Sequence, residues 1–358
     1  MTAARAGRQR LAVVFGGRST EHEVSVTSAR SIMREADPGR FEVTPFGITR
    51  GGAWLTPDET RRRLARVEAG ETRGIGDDPG AGALAYPDVL AALRESDVVF
   101  PIVHGTFGED GTLQGMLEMA DLPYVGPGVA ASAIGMDKEL MRAVFAAAGI
   151  PQTEYAVLRD GDVRAPSAEA RSAVDALGYP CFVKPCNGGS SVGVSKARSR
   201  EDLTEAITEA ARHDRKVIVE RAVEGREVEC AILGNDDPLP SPLGEIRPRR
   251  EFYDYQAKYI DDTTELIVPA ALAAETASRV QALAVRAFRA LDCAGLSRVD
   301  FFVRDDGSVL CIEVNTLPGF TPISMYPRLW QEAGVSYGDL ISRLVDLGLV
   351  RHAAVRRA

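Results

Sequence analysis

Asp300 and Glu313 stand on either side of a turn signal, Asp305-Asp306-Gly307-Ser308, and their immediate neighbours Phe301, Phe302, Ile312 and Val314 are apolar. With Asp306-Gly307 as a two-residue hairpin turn, Asp305 faces Ser308, and counting outward sets Asp300 opposite Glu313 and Arg298 opposite Asn315. Alternate strand residues share a face, so these four side chains project together. Opposed like charges, with Cβ atoms about 5 Å apart, destabilise a sheet unless something positive lies between them. Two carboxylates and an amide oxygen suit a hard divalent ion such as Mg²⁺, which fills its remaining positions with water and substrate phosphates. Arg298 beside them would clamp a phosphoryl or carboxylate group with its planar fork. A plain hairpin with an Arg298–Glu313 surface ion pair is the alternative.

A second cluster lies upstream. Lys184-Pro-Cys-Asn-Gly-Gly-Ser-Ser-Val-Gly193 joins two strands, so it is neither a P-loop nor a dinucleotide fingerprint. Gly188 and Gly189 would let backbone N–H groups approach phosphate oxygens, and Ser190 and Ser191 add donors. A flexible turn is the competing reading. Lys184, and Lys138 in Gly135-Met-Asp-Lys138, supply two point charges suited to the phosphate chain of ATP. The strand ending Glu220-Arg-Ala-Val223 would offer adenine the backbone groups of Glu220, Ala222 and Val223, with Glu227 placed for the ribose hydroxyls. Between Arg247 and Asp262 the aperiodic run RPRREFYDYQAKYIDD is long for a compact domain and reads as a lid, or otherwise as a solvated connection.

These residues need elements to hold them. Leu11 to Phe15 reads as a strand that breaks at Gly16-Gly17 and resumes as a helix with Ala29, Ile32, Met33 and Ala36 on one face, opened by a Thr20/Glu23 capping box. Strands at Phe41 to Thr49 and Asp97 to His104 continue an open α/β sheet. A second, α+β unit holds a helix over 137–148, the strands flanking the glycine loop, and a helix capped by Ser199. The third unit takes the strands Lys216 to Val223, Glu227 to Leu233, Arg298 to Val303 and Val309 to Val314, plus a helix facing inward through Val280, Leu283, Ala284, Ala287 and Leu291. The resulting division is 11–125, 126–217 and 218–350.

At 358 residues the chain exceeds the roughly 250 to 300 at which one core stops growing. A net charge of −9 argues against a nucleic-acid surface. The five cysteines form no CxxC pair and read as reduced core residues, and no segment approaches the ~20 apolar residues of a membrane span, so a cytoplasmic protein is expected.

Taken in order, GGRSTEHEVS (16–25), VHGTFGEDGTLQG (103–115), GMDK (135–138), FVKPCNGGSSVGVSK (182–196), FYDYQAKY (252–259), SRVDFF (297–302) and EVNTLPGFTPISMYP (313–327) resemble the D-alanine:D-alanine ligases of the ATP-grasp superfamily. The likeness covers almost the whole chain. It implies a three-domain α/β ATP-grasp fold with an N-terminal Rossmann-like domain and ATP between the central and C-terminal domains. It also implies two Mg²⁺ ions, or Mn²⁺, on Asp300, Glu313 and Asn315, and ATP held by Lys138, Lys184, the glycine loop, Glu227 and Phe302. Lys258 would close on the γ-phosphate. Glu21 would take the first D-alanine's ammonium and form a hydrogen-bonded set with Ser190 and Tyr259, His104 would lie near that substrate, and Ser324 and Met325 would hold the second D-alanine's carboxylate. Arg298 and the N–H of Gly319 would face the oxyanion. A homodimer and potassium activation belong to the same likeness.

Two positions depart from the family pattern: Cys186 stands where serine is frequent, and Arg221-Ala222 replaces a larger apolar pair. D-alanine:D-lactate ligases share the metal and phosphate residues but lack the Lys258-Tyr259 lid ending, which favours a peptide product. A catalytically silent ATP-binding regulator would have lost one of Asp300, Glu313, Asn315, Lys184 or Arg298, and all are present.

Overall fold

The structure is a computed structural model that describes residues 7–69, 74–77, 83–164, 167–247 and 265–355. Its first unit runs β1 (Gln9–Gly16), α1 (His22–Glu35), β2 (Phe41–Ile48), β3 (Trp54–Leu55), α2 (Pro57–Glu68), β4 (Ala83–Leu84), α3 (Tyr86–Leu93), β5 (Val98–Pro101) and α4 (Thr112–Met119). The sheet order is β4-β3-β2-β1-β5, with β1 parallel to both β2 and β5. Covered on both faces, β1 buries every residue from Leu11 to Phe15, as a central parallel strand must. Gly16 has φ +95°, and a Cβ there would lie 2.2 Å from the Ile48 carbonyl oxygen, so the turn into α1 requires glycine. The Thr20/Glu23 capping box does not form: α1 starts at His22 with Glu21 at its N-cap and no side-chain capping bond.

The middle of the chain forms α5 (Val129–Met136), α6 (Lys138–Ala147), β6 (Tyr155–Arg159), α7 (Asp160–Arg164), α8 (Ala168–Leu177), β7 (Cys181–Pro185), β8 (Ser195–Ala197), α9 (Arg200–Ala210) and β9 (Lys216–Arg221). Its four-stranded sheet has the order β6-β9-β7-β8. Ser199 caps α9 by accepting from the Asp202 N–H, as the sequence predicts. Two assignments change. Strand β9, expected in the third unit, pairs along its length with β6 and β7, so the boundary near 217 falls inside a strand. Helix α6, expected in the second unit, buries Met141 and Phe145 against Val228, Val299 and Phe301 of the third. Apolar periodicity reports that a face is buried but not which sheet buries it.

The rest comprises β10 (Arg226–Gly234), β11 (Leu239–Arg247), β12 (Glu265–Ile267), α10 (Ala274–Ala290), β13 (Gly295–Val303), β14 (Val309–Asn315), α11 (Met325–Glu332) and α12 (Tyr337–Val355). The antiparallel sheet is β12-β11-β10-β13-β14. Leu329, Leu340 and Leu344 from α11 and α12 return to share a core with Leu11, Val13 and Phe15. That packing sets the hairpin sheet beside the N-terminal unit.

The β13–β14 connection is one residue longer than a two-residue turn: the Arg304 N–H donates to Ser308 O at 2.9 Å, and Gly307 takes the left-handed conformation at φ +78°. Asp300 nevertheless faces Glu313 and Arg298 faces Asn315, because the register shifts between Asp300 and Phe301, which pairs with Cys311. Ile312 is thus a bulge that cancels the longer turn. It also brings Leu310, Ile312, Glu313 and Asn315 onto the wall of one cleft.

Candidate active site

Beneath the glycine loop, Asp137 is the N-cap of α6, accepting from the N–H groups of Glu139 (3.1 Å) and Leu140 (3.3 Å), and it pairs with Lys216 of β9. This fixes the start of the helix and therefore Lys138, whose ammonium donates to Gly188 O at 2.8 Å. Burial lowers the Lys138 pKa. Asn187 is anchored through its N–H and side-chain amide to Asp214, at 2.7 and 2.9 Å. Ser190 and Ser191 adopt positive φ of 51° and 58°. A Cβ on Gly189 would come within 3.0 Å of Glu21 Oε2, so this glycine lets the loop reach the N-terminal unit.

Lys184 on β7 donates to Glu220 Oε2 at 2.6 Å, and Arg142 of α6 binds the other oxygen. Burial opposes ionisation of Glu220, but the two cations outweigh it and hold its pKa far below the usual carboxylate range. The Glu220 side chain is therefore committed to cations. The Ala222 N–H is likewise occupied, by Pro180 O at 3.1 Å, which removes it as a donor for adenine. Glu227 lies opposite Phe302 across β10–β13, and both line the cleft.

On the hairpin, Arg298 forks onto Asp300 with bonds of 2.8 and 2.7 Å and lies 3.1 Å from Glu229, while the Asn315 amide donates to Asp300 Oδ2 at 2.9 Å. Arg298 is thus paired within its own strand to Asp300 rather than across to Glu313. Burial lowers its pKa, but Asp300 and Glu229 raise it well above its ordinary value. Two carboxylates and one amide converge here, a donor set that fits a hard divalent ion. Among the described residues no group of three or more His, Cys, Asp or Glu side chains offers a richer one.

The segment carrying Gly319 is held from the N-terminal unit. His104 Nδ1 donates to Leu317 O at 3.0 Å, which leaves Nε2 to accept from Ser28 Oγ at 3.4 Å, and Ser28 in turn accepts the Phe320 N–H at 3.2 Å. Burial lowers the His104 pKa and keeps the ring neutral. Glu109, which the sequence reading missed, accepts from Gly105 N–H at 2.6 Å and Leu317 N–H at 3.1 Å. Burial and the charge of Glu21 push its pKa up to about 8. Both ring nitrogens of His104 serve this scaffold, so it positions backbone rather than presenting a free base. An acidic residue in a Gly-Glu-Asp-Gly run reads as a turn; only the fold brings it to Leu317.

Ser324 is the N-cap position of α11, and its hydroxyl bonds the N–H and hydroxyl of Thr321 at 3.0 and 2.7 Å. The Met325 side chain packs in the core, its sulfur 2.4 Å from where a Cβ on Gly244 would lie. Any role of Met325 toward a carboxylate belongs to its backbone at the helix N-terminus. Of the expected Glu21, Ser190 and Tyr259 set, the first two line the cleft, Ser190 Oγ has no hydrogen-bond partner among the described residues, and Tyr259 lies outside them, as does Lys258. The cleft encloses about 1420 Å³, more than the roughly 300–1,000 Å³ of a single small-ligand site. Among the described residues no helix is long and apolar enough to cross a membrane.

The glycine loop, the carboxylate hairpin and the two sheets lining one cleft belong to the ATP-grasp fold class. Family models described as "D-ala D-ala ligase N-terminus" and "D-ala D-ala ligase C-terminus" match residues 10–127 and 144–346. The D-alanine–D-alanine ligase of Acetivibrio thermocellus is 46% identical over 370 residues, covering 96% of this chain and 97% of that one. The solved D-alanine-D-alanine ligase of Coxiella burnetii superposes with TM-score 0.82 at 34% identity, over 98% of this chain and 97% of that one. The VanG D-Ala:D-Ser ligase of Enterococcus faecalis gives 0.79 at 34% identity, over 95% and 99%. The chain belongs to the D-alanine–D-alanine ligase family and is an enzyme that forms carbon–nitrogen bonds. Members of the family use ATP and a divalent metal ion.

Proposed function

We propose that this enzyme joins two D-alanine molecules through an acylphosphate, making the dipeptide used in peptidoglycan precursors. The observation that carries the reading is the pairing of Asp300 with Glu313 in the same cleft as Lys138, Lys184 and the glycine loop. Asp300, Glu313 and Asn315 would hold Mg²⁺, which when bound neutralises charge on the transferring phosphoryl group. Lys138 and Lys184 hold the phosphate chain, the backbone of Glu220 and Val223 takes the adenine edge, and Glu227 the ribose. Glu21 takes the ammonium of the first D-alanine, beside the scaffold of His104 and Glu109.

A carboxylate oxygen of that D-alanine attacks the γ-phosphorus, the bond to the β–γ bridging oxygen breaks, and ADP leaves. The second D-alanine, its carboxylate at the N-terminus of α11 beside Ser324 and Met325, attacks the acyl carbon with its neutral amine. Phosphate leaves and the surplus proton goes to solvent. Arg298 and the Gly319 N–H stabilise the oxyanion, a role worth about 3 to 4 kcal/mol per donor in other enzymes. Lys258 and Tyr259 favour amine over hydroxyl as the second nucleophile.

Phosphate release from ATP, with product analysis, tests this using D-alanine alone, L-alanine, D-alanine with D-lactate, and D-alanine with D-serine. D-alanine alone should give stoichiometric phosphate and D-alanyl-D-alanine. Phosphate without dipeptide would remove the assignment, and a preference for D-serine or D-lactate would change the second substrate.

A further inference from the structure

Arg142 is 2% exposed and lies four residues after Lys138, so one helix carries a lysine in the cleft and an arginine beneath it. Its Nη1 donates to Cys311 O of β14 at 2.9 Å, and its Nη2 to Glu220 Oε1 of β9. Lys184 of β7 holds the other Glu220 oxygen at 2.6 Å. One guanidinium therefore ties α6, the central sheet and the strand that carries Glu313 two residues beyond Cys311. Its Nε, also buried, has no hydrogen-bond partner among the described residues. A buried arginine with an unmatched N–H is weak as a stabilising device compared with an apolar residue of similar volume. Something other than stability accounts for it.

We infer that Arg142 is a positioning residue for the nucleotide: it sets Lys184 through Glu220 and fixes the spacing between that lysine and the hairpin carboxylates. The inference rests on the reading of the cleft as an ATP site. Two cations share one carboxylate here, so the cluster keeps one net positive charge toward the phosphates. With Arg142 removed, Lys184 and Glu220 become a neutral pair, the ammonium is held more tightly by that carboxylate, and the tether to β14 is lost.

The test uses the full chain with Arg142→Met and Arg142→Lys, measuring KM for ATP and for D-alanine, kcat, ADP binding and thermal unfolding. Arg142→Met should raise KM for ATP roughly 10- to 100-fold, the size of one charge-assisted hydrogen bond, with KM for D-alanine changed less than about twofold. Arg142→Lys keeps the charge but cannot reach both partners, so it should restore part of the ATP affinity. If Arg142→Met fails to fold, Arg142→Lys and the double variant Arg142→Met/Glu220→Gln decide, and both should show weakened ADP binding. ATP affinity within about twofold of wild type in the folded variants, or equal loss for both substrates, overturns the inference. A wild-type protein that neither binds nor consumes ATP would instead overturn the reading of the cleft itself.

Discussion

Arg142 lies buried beneath the cleft and Arg298 lines it, each bonded to a carboxylate, yet their clusters differ in charge. Around Arg142, two cations share the single carboxylate of Glu220. Around Arg298, one cation faces Asp300 and Glu229, with Glu313 opposite Asp300. One cluster has excess positive charge and the other excess negative charge. A buried excess of either sign is unfavourable unless a ligand completes it. On the function proposed above, a metal–nucleotide complex would complete both, with phosphates toward the lysines and the cation toward the hairpin. On that reading the two ATP-grasp units divide the work of binding one ligand of mixed charge, and the lesson is that opposite charge excesses are kept on separate units.

The strongest way to break this comparison is Glu313→Ala. It should cut turnover by about 1000-fold or more, because several kcal/mol of metal-borne charge stabilisation is lost, and added Mg²⁺ should not restore it. Near-normal phosphate release would show the metal is placed elsewhere. Arg298→Lys comes next. It keeps the charge but loses the fork, and kcat should fall roughly 100-fold while ADP binding holds. An equal loss of ADP affinity would mean that the two clusters are not separable.

Glu109→Gln sharpens the contrast between cleft and scaffold. The folded pKa of Glu109, pushed up to about 8, lies above the ordinary carboxyl value of about 4.3, so its stabilising contribution is full below about 4.3 and lost as pH rises through about 8. Glutamine cannot ionise. The melting temperature of wild type should therefore drop by a few °C relative to Glu109→Gln between pH 5 and 8, and a constant difference over that range would refute the shift. The smallest effect is expected from Cys186→Ser. This thiol is fully buried, with its pKa pushed up to about 12 by burial, so ATP turnover should change less than about threefold and iodoacetamide should leave the folded enzyme active.

The hairpin shows how local patterns can succeed for incomplete reasons. Counting outward from an assumed two-residue turn at Asp306-Gly307 gave the pairing of Asp300 with Glu313, although neither the three-residue turn nor the compensating bulge at Ile312 was legible. Ser199 was legible as a cap because a cap acts within one turn. The start of α1 was not, since Glu21 occupies the position the pattern assigned to Thr20. Glu220 looked like a strand-end acid, and its bonds to Arg142 and Lys184 span 78 and 36 residues.

By itself the sequence determined the chemistry available: paired acids, phosphate-seeking glycines and lysines, an arginine fork, and a likeness that spans the chain. Those depend on residue type and short spacing, which local propensity and periodicity report. Tertiary structure alone decided which sheet owns β9, why α6 packs on the third unit, and how Glu109 and His104 hold the segment bearing Gly319. Each of these is a contact between residues far apart in the chain, and no periodic pattern encodes a partner that only packing brings near.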